Sequence, residues 1–151
     1  QNLVDKLNTL PFTKKDARRF FELLKHAKVE KLIDIRINNS SQLAGFAKGT
    51  DLEYFCDTIL SCKYLHLTDL APTKELLKSY SDKEISWNEY EKTFNKLLET
   101  RNILSKHDIR IFNNSCLLCS EDTPEHCHRR LVAEFLKKSH PEEDIKILHL
   151  T

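Results

Sequence analysis

CLLCSEDTPEHCHRR, residues 116–130, reads as a strand, a short loop and the opening of a helix in one run. Cys116 to Cys119 is short and apolar, the pattern of a buried strand. Asp122 or Thr123 then offers a helix cap, Pro124 suits a first turn, and Asp122-x-x-Glu125 completes a capping box. The helix is predicted to run to about Lys138, with Leu131, Val132, Phe135 and Leu136 turned inward. Polar, reactive side chains stand at both lips of the loop: Cys119 and Glu121 on the strand side, Cys127, His128 and Arg129 on the helix side.

Working outward, the same alternation repeats. Leu7 to Phe12 is a short strand candidate. Thr13-x-x-Asp16 resembles a capping box ahead of a stripe of Ala17, Phe20, Phe21, Leu24 and Ala27 that ends near Lys28. Lys31 to Ile37 (KLIDIRI) alternates as a strand, and the loop from Asn38 to Gly49 follows. Thr50-x-x-Glu53 caps the next predicted helix, and Lys63 to Leu67 (KYLHL) is the next strand. A short helix is expected from Thr73 to Tyr80, and Ser86-x-x-Glu89 opens a long one carrying Trp87, Tyr90, Phe94, Leu97 and Leu98. Ile109 to Phe112 is a second short apolar run whose state stays open, and Ile145 to Leu150 closes the series as a strand. Strands alternating with helices predict an α/β fold: a mostly parallel sheet of about five strands with helices on both faces, a Rossmann-like three-layer sandwich. Ligands of such sheets bind beyond the carboxyl ends of the strands.

Composition narrows the function. One domain spanning residues 1–151 is expected from the length. With 24 basic and 23 acidic side chains the net charge is +1, which gives no support to a broad nucleic-acid footprint. Only 2 glycines are present, Gly45 and Gly49, so neither a Walker-type phosphate loop nor a dinucleotide fingerprint can be written. Both fall in the loop after KLIDIRI, where the backbone is expected to bend or come close to something. The 5 cysteines are an odd number in a chain that needs no disulfide framework, which favours a reduced, cytoplasmic setting. No apolar run suggests a signal peptide or a membrane span.

Three polar clusters carry the chemistry. A cysteine at a helix amino terminus beside His128 and Arg129 is where a thiolate is stabilised, so Cys127 or Cys119 is a candidate nucleophile. Each is also readable as a small buried hydrophobe. His128 is expected to point toward the sheet and Arg129 toward the rim, where it can clamp an anion; Glu121 and Arg129 read equally as a structural ion pair. Asp34 and Arg36 share a strand face, with Asn38 and Asn39 beyond, and form either a binding pair or an ion pair closing the sheet end. Tyr64 and His66 share a face near Asp69, although His66 also reads as a core histidine. The remaining histidines, His126 among them, suggest no constellation. Residues three apart in a strand point to opposite faces, so Cys116 and Cys119 are not expected to share a zinc ion, and no metal site is assigned. An ion using fewer of these ligands is left open.

Leu-Ile-Asp34-Ile-Arg36, Gly45-Phe46, Tyr64-x-His66 and Leu-Leu-Cys119-Ser-Glu121-x5-Cys127-His128-Arg129 together resemble the family called domain of unknown function 488. The resemblance runs from Leu7 to Leu150, and Asn38 to Lys48 is similar to one of its subgroups. It implies a small cytosolic α/β domain with Asp34, Arg36, Cys119, Glu121, Cys127, His128 and Arg129 as signature positions, and it brings no activity or cofactor. The chain departs from the family at Pro11, where a glycine usually follows the first strand. The expectation is an enzyme acting on a small anionic or nucleotide-like substrate. Arg36 and Arg129 would hold the anion, Cys127 or Cys119 would attack, and Glu121 or His128 would move protons. The alternative is a non-catalytic ligand-binding or interaction domain, and a third is an accessory of nucleic-acid processing.

Overall fold

The computed structural model describes residues 2–12, 15–39, 48–120 and 126–151. Five parallel strands form one sheet in the order β3-β2-β4-β1-β5. They are β1 Lys6–Pro11, β2 Lys31–Asp34, β3 Lys63–His66, β4 Ser115–Cys119 and β5 Lys146–His149. β4 takes the middle because all its residues are buried and small or apolar, as a strand covered on both faces requires. The helices are α1 Ala17–His26, α2 Gly49–Phe55, α3 Lys74–Ser81, α4 Trp87–Thr100, α5 Ile103–Lys106 and α6 His128–Ser139. The fold is the α/β, Rossmann-like sandwich that the alternation implied. Among the described residues no helix is long and apolar enough to cross a membrane.

Strand alternation sorts the core into two clusters, one on each face of the sheet. Leu10, Leu32, Cys116 and Leu118 pack with Phe20, Phe21 and Leu24 of α1 and Leu52 of α2. Leu7, Ile33, Leu117 and Cys119 pack with Tyr90, Phe94 and Leu98 of α4 and Leu131, Val132 and Leu136 of α6. The chain moves across the sheet in one direction from β1 to β3, with α1 and α2 on one face. It then reverses through β4 to β5, with α4 and α6 on the other. β4 therefore sits between two strands, β1 and β2, whose onward connections leave toward the opposite face. Such a divergence opens a crevice at the carboxyl ends.

Several boundaries differ from the sequence reading, each for a local reason. Asp16 caps α1 alone, accepting from the Arg19 N–H at 2.8 Å, and Thr13 lies outside the described residues. α2 begins at Gly49 behind Lys48, so Thr50 is inside the helix rather than its cap. β2 ends at Asp34 instead of Ile37, because the Asp34 carboxylate accepts the Arg36 backbone N–H at 3.1 Å and turns the chain out of the ladder. α6 begins at His128 with Cys127 as its cap; the predicted start at Pro124 and the Asp122-x-x-Glu125 box fall outside the described residues. The undecided Ile109–Phe112 is a 3-10 turn. The expected caps of α3 and α4 are present: Thr73 accepts from the Leu76 N–H, and both arms of the Ser86–Glu89 box are made.

Candidate functional site

The register gathers the predicted residues at one end of the sheet. Cys119 stands opposite Pro11 of β1, and Asp34 stands between Leu118 of β4 and His66 of β3. Asp34 has no solvent exposure and is covered by donors. Arg36 donates from Nε at 2.9 Å and from Nη2 at 2.7 Å, and the Tyr64 hydroxyl donates at 2.6 Å. The ion-pair alternative thus describes the geometry: Arg36 is buried, its guanidinium held by Asp34 and lying 4.9 Å from the Phe12 ring centroid. Burial, and then the Asp34 charge, push the Tyr64 phenol above its ordinary pKa. Asn39 donates to the Tyr64 hydroxyl oxygen at 3.1 Å, and its own carbonyl accepts from the Gly49 N–H at 2.7 Å. A Cβ at Gly49 would collide with the Asn39 side chain, so this glycine serves a close approach as expected. Gly45 lies outside the described residues.

His66 donates from Nε2 to the Arg36 carbonyl at 2.7 Å, the single hydrogen bond of the core-histidine reading. Asp69 does not join Tyr64 and His66; its carboxylate pairs with His107 Nε2 at 2.7 Å. Asp34, Tyr64 and His66 therefore brace the strand ends through one another and Arg36.

Cys119 ends β4 and Cys127 caps α6, and their Sγ atoms are joined in a disulfide. The odd count favoured reduced cysteines and so hid this one pair, which the return of α6 to the end of β4 brings together. Cys56, Cys62 and Cys116 are free and buried on the other face. Arg129 is 1% exposed and donates from Nη1 to Cys119 Sγ at 3.4 Å, so it is not at the rim. The first turn of α6 straddles two strand ends, which encloses Arg129 as well as His128.

His128 Nε2 lies 2.7 Å from the Ile35 carbonyl, which can only accept, so Nε2 carries the proton. Burial lowers its pKa to about 4, with the Arg129 charge adding to the effect and the Ile35 hydrogen bond opposing it. At neutral pH His128 is uncharged, its one ring proton is held by the Ile35 carbonyl, and burial opposes the uptake of a second. Ligand atoms of Cys119, Cys127 and His128 lie within 4.8 Å of one another. That donor set suits zinc only when both sulfurs are thiolates. Cys116 is on the opposite sheet face, as its spacing required.

A cleft of about 220 Å³ opens above these groups, lined by Arg36, Asn38, Ser120, Cys127 and His128 on its polar side. Glu121 lies outside the described residues. The opposite wall was not read from the sequence as part of a site. Tyr80, Trp87, Tyr90 and His126 form a connected aromatic surface, with ring centroids 5.3 Å apart for Tyr80–Trp87, 4.7 Å for Trp87–Tyr90 and 5.0 Å for Trp87–His126. Trp87 and Tyr90 had been assigned only to a core stripe, and His126 to no constellation. The signal available was the closeness of Tyr80, in the last turn of α3, to Trp87 and Tyr90 in the first turn of α4, but core helices give the same pattern.

A model of the family described as Domain of unknown function DUF488 matches residues 16–136. No curated protein and no solved structure matches the chain.

Proposed function

The chain belongs to the family described as domain of unknown function DUF488, and since that description assigns no activity, we propose one from the site itself. The reading is an enzyme in which Cys127, backed by Cys119, performs thiol chemistry on a small molecule held in the cleft. The carrying observation is that Cys127, which caps α6 and lines the cleft while only 1% exposed, is joined to a Cys119 sulfur that Arg129 contacts.

The geometry supports a sequence of steps. An external dithiol attacks Cys127 Sγ, the sulfur of the residue that lines the cleft, and the S–S bond breaks with its electron pair going to Cys119. A guanidinium against the leaving sulfur stabilises that thiolate and speeds departure. The second thiol of the reductant then displaces Cys127, leaving oxidised reductant and a reduced pair. The helix terminus favours the Cys127 thiolate, which is the nucleophile for substrate. A cytoplasmic location accords with this reading, because disulfides there are mostly transient and catalytic.

A specific observation favours the binding-domain alternative: Asp34, Arg36, Tyr64 and His66 bind one another instead of presenting free groups to the cleft. One experiment separates the two. After reduction by a dithiol, brief treatment with iodoacetamide and peptide mass mapping should label Cys127 well ahead of Cys56, Cys62 and Cys116. Replacing Arg129 by Gln should slow reduction of the pair severalfold. Labelling of Cys127 only upon unfolding would leave the binding domain as the surviving reading.

A further inference from the structure

We infer that the cleft takes a flat, uncharged heteroaromatic ring system of one or two fused rings, the nucleobase class, rather than a free phosphate or a sugar phosphate. The inference rests on the cleft being the ligand site of the proposed function, and not on the thiol chemistry.

Three observations carry it. The first is charge. Arg36 is the only arginine or lysine among the described lining residues, and Asp34 already holds it through two hydrogen bonds of 2.9 and 2.7 Å. Arg129, the other cation that the sequence offered to an anion, is buried against Cys119 and does not line the cleft. A phosphate would therefore meet only the partial charge of the α6 terminus and a guanidinium already neutralised by Asp34, and a cationic ligand would meet Arg36. The second is shape and surface. Tyr80, Trp87 and His126 line the cleft and pack on one another, backed by Tyr90, which is 2% exposed and stacked on Trp87; an aromatic wall is a surface on which heteroaromatic rings stack. About 220 Å³ is below the roughly 300–1,000 Å³ that encloses a drug-sized ligand, which limits the occupant to a small ring system. The third is the polar edge. Asn38 contributes an amide and Ser120 a hydroxyl, and the α6 terminus adds a partial positive charge. These match the mixed donors and acceptors on the rim of a nucleobase better than they match a hydrocarbon ring.

Trp87 is the only tryptophan of the chain and stands in the cleft wall, so its fluorescence reports occupancy directly. The test titrates the folded protein with adenosine, guanosine, cytidine and uridine, with ribose 5-phosphate, inorganic phosphate, tetramethylammonium and a short single-stranded oligonucleotide as separate arms. N-acetyltryptophanamide corrects for absorption. At least one nucleoside should give a saturable change, with none from the phosphate, sugar-phosphate or ammonium arms. Tyr80→Ala should weaken that binding roughly five- to a hundred-fold, the range for loss of one stacking contact, while Tyr80→Phe retains it. A melting curve for each variant shows that it is folded. Failure of every nucleoside, a response to phosphate, ribose 5-phosphate or tetramethylammonium, or a response to the oligonucleotide alone would each overturn the inference. Labelling of Cys127 in the same samples keeps the two proposals apart. A reactive Cys127 with no nucleoside bound sinks this inference alone, and a bound nucleoside over an inert Cys127 sinks the thiol enzyme alone.

Discussion

Asp34 converts a sequence pattern into the end of a strand. Its carboxylate compensates a guanidinium that is 5% exposed and at the same time turns the backbone at Arg36. Asp34→Asn would leave that charge buried without its partner, and urea unfolding should show a loss of about 3–5 kcal/mol. Replacing both residues by leucine should cost less than the single change, since no charge is then stranded. His128 gives a pH-dependent counterpart. Its folded pKa, about 4, lies below the ordinary 6.5, so the unfolded chain binds a proton that the folded protein refuses. The stability it contributes is complete above pH 6.5 and is lost as the pH falls toward 4, by about 3 kcal/mol in all. The difference between wild type and His128→Asn in unfolding free energy should shrink by that order across the window; a constant difference would refute the assignment. The Asp34–Arg36 pairing was legible because opposite charges two apart in an alternating run are close enough to meet, even though the strand itself ends at Asp34. The burial of Arg129 was not, because it depends on which strand end α6 approaches, and no local periodicity encodes that.

At the scale of elements, helix starts were legible where a polar side chain marks them. The Ser86–Glu89 box does so for α4, and it also fixes the entry of Trp87, the first residue of that helix, into the cleft wall. Ser86→Ala should lower stability by about 1 kcal/mol in thermal or urea unfolding, with Trp87 emission shifted toward that of a more hydrated ring. α2 was misplaced for the converse reason: Lys48 makes no side-chain cap, so nothing in the sequence announces a helix at Gly49. β2 was read too long because Ile35 and Ile37 continue the apolar alternation after the ladder has ended at Asp34. The competing interaction there is one side-chain hydrogen bond, and composition alone gives it no weight.

For the whole molecule, alternation of strands and helices was enough to predict the architecture, but not the order β3-β2-β4-β1-β5. That order arises from long-range packing, and it puts β4 where the connections diverge. The aromatic wall escaped notice for the same reason, since Tyr80, Trp87, Tyr90 and His126 come from three segments that meet only in the fold. The Cys119–Cys127 bond ties two of these levels together by closing a short loop, its cysteines 8 positions apart. Loop-closure entropy sets its contribution at about 2–3 kcal/mol, so reduction should lower the melting temperature by roughly 5–10 °C. Cys119→Ser should be insensitive to reductant, and a wild type equally insensitive would mean that the pair does not stabilise the fold.

The sheet that divides the core also divides the sulfur chemistry. Cys119 and Cys127 lie on one side of it, and Cys56, Cys62 and Cys116 on the other, with Cys116 pushed by burial toward its protonated, unreactive form. A plane of hydrogen-bonded backbone thus acts as a partition between a thiol population able to change its bonding and one that packs as hydrocarbon. Cys116 and Cys119, three apart in β4 and on opposite faces, cannot exchange partners while the strand exists. Any chain recovered with a Cys116–Cys119 bond carries a record that β4 had come apart before oxidation, so the pairing pattern serves as a memory of unfolding.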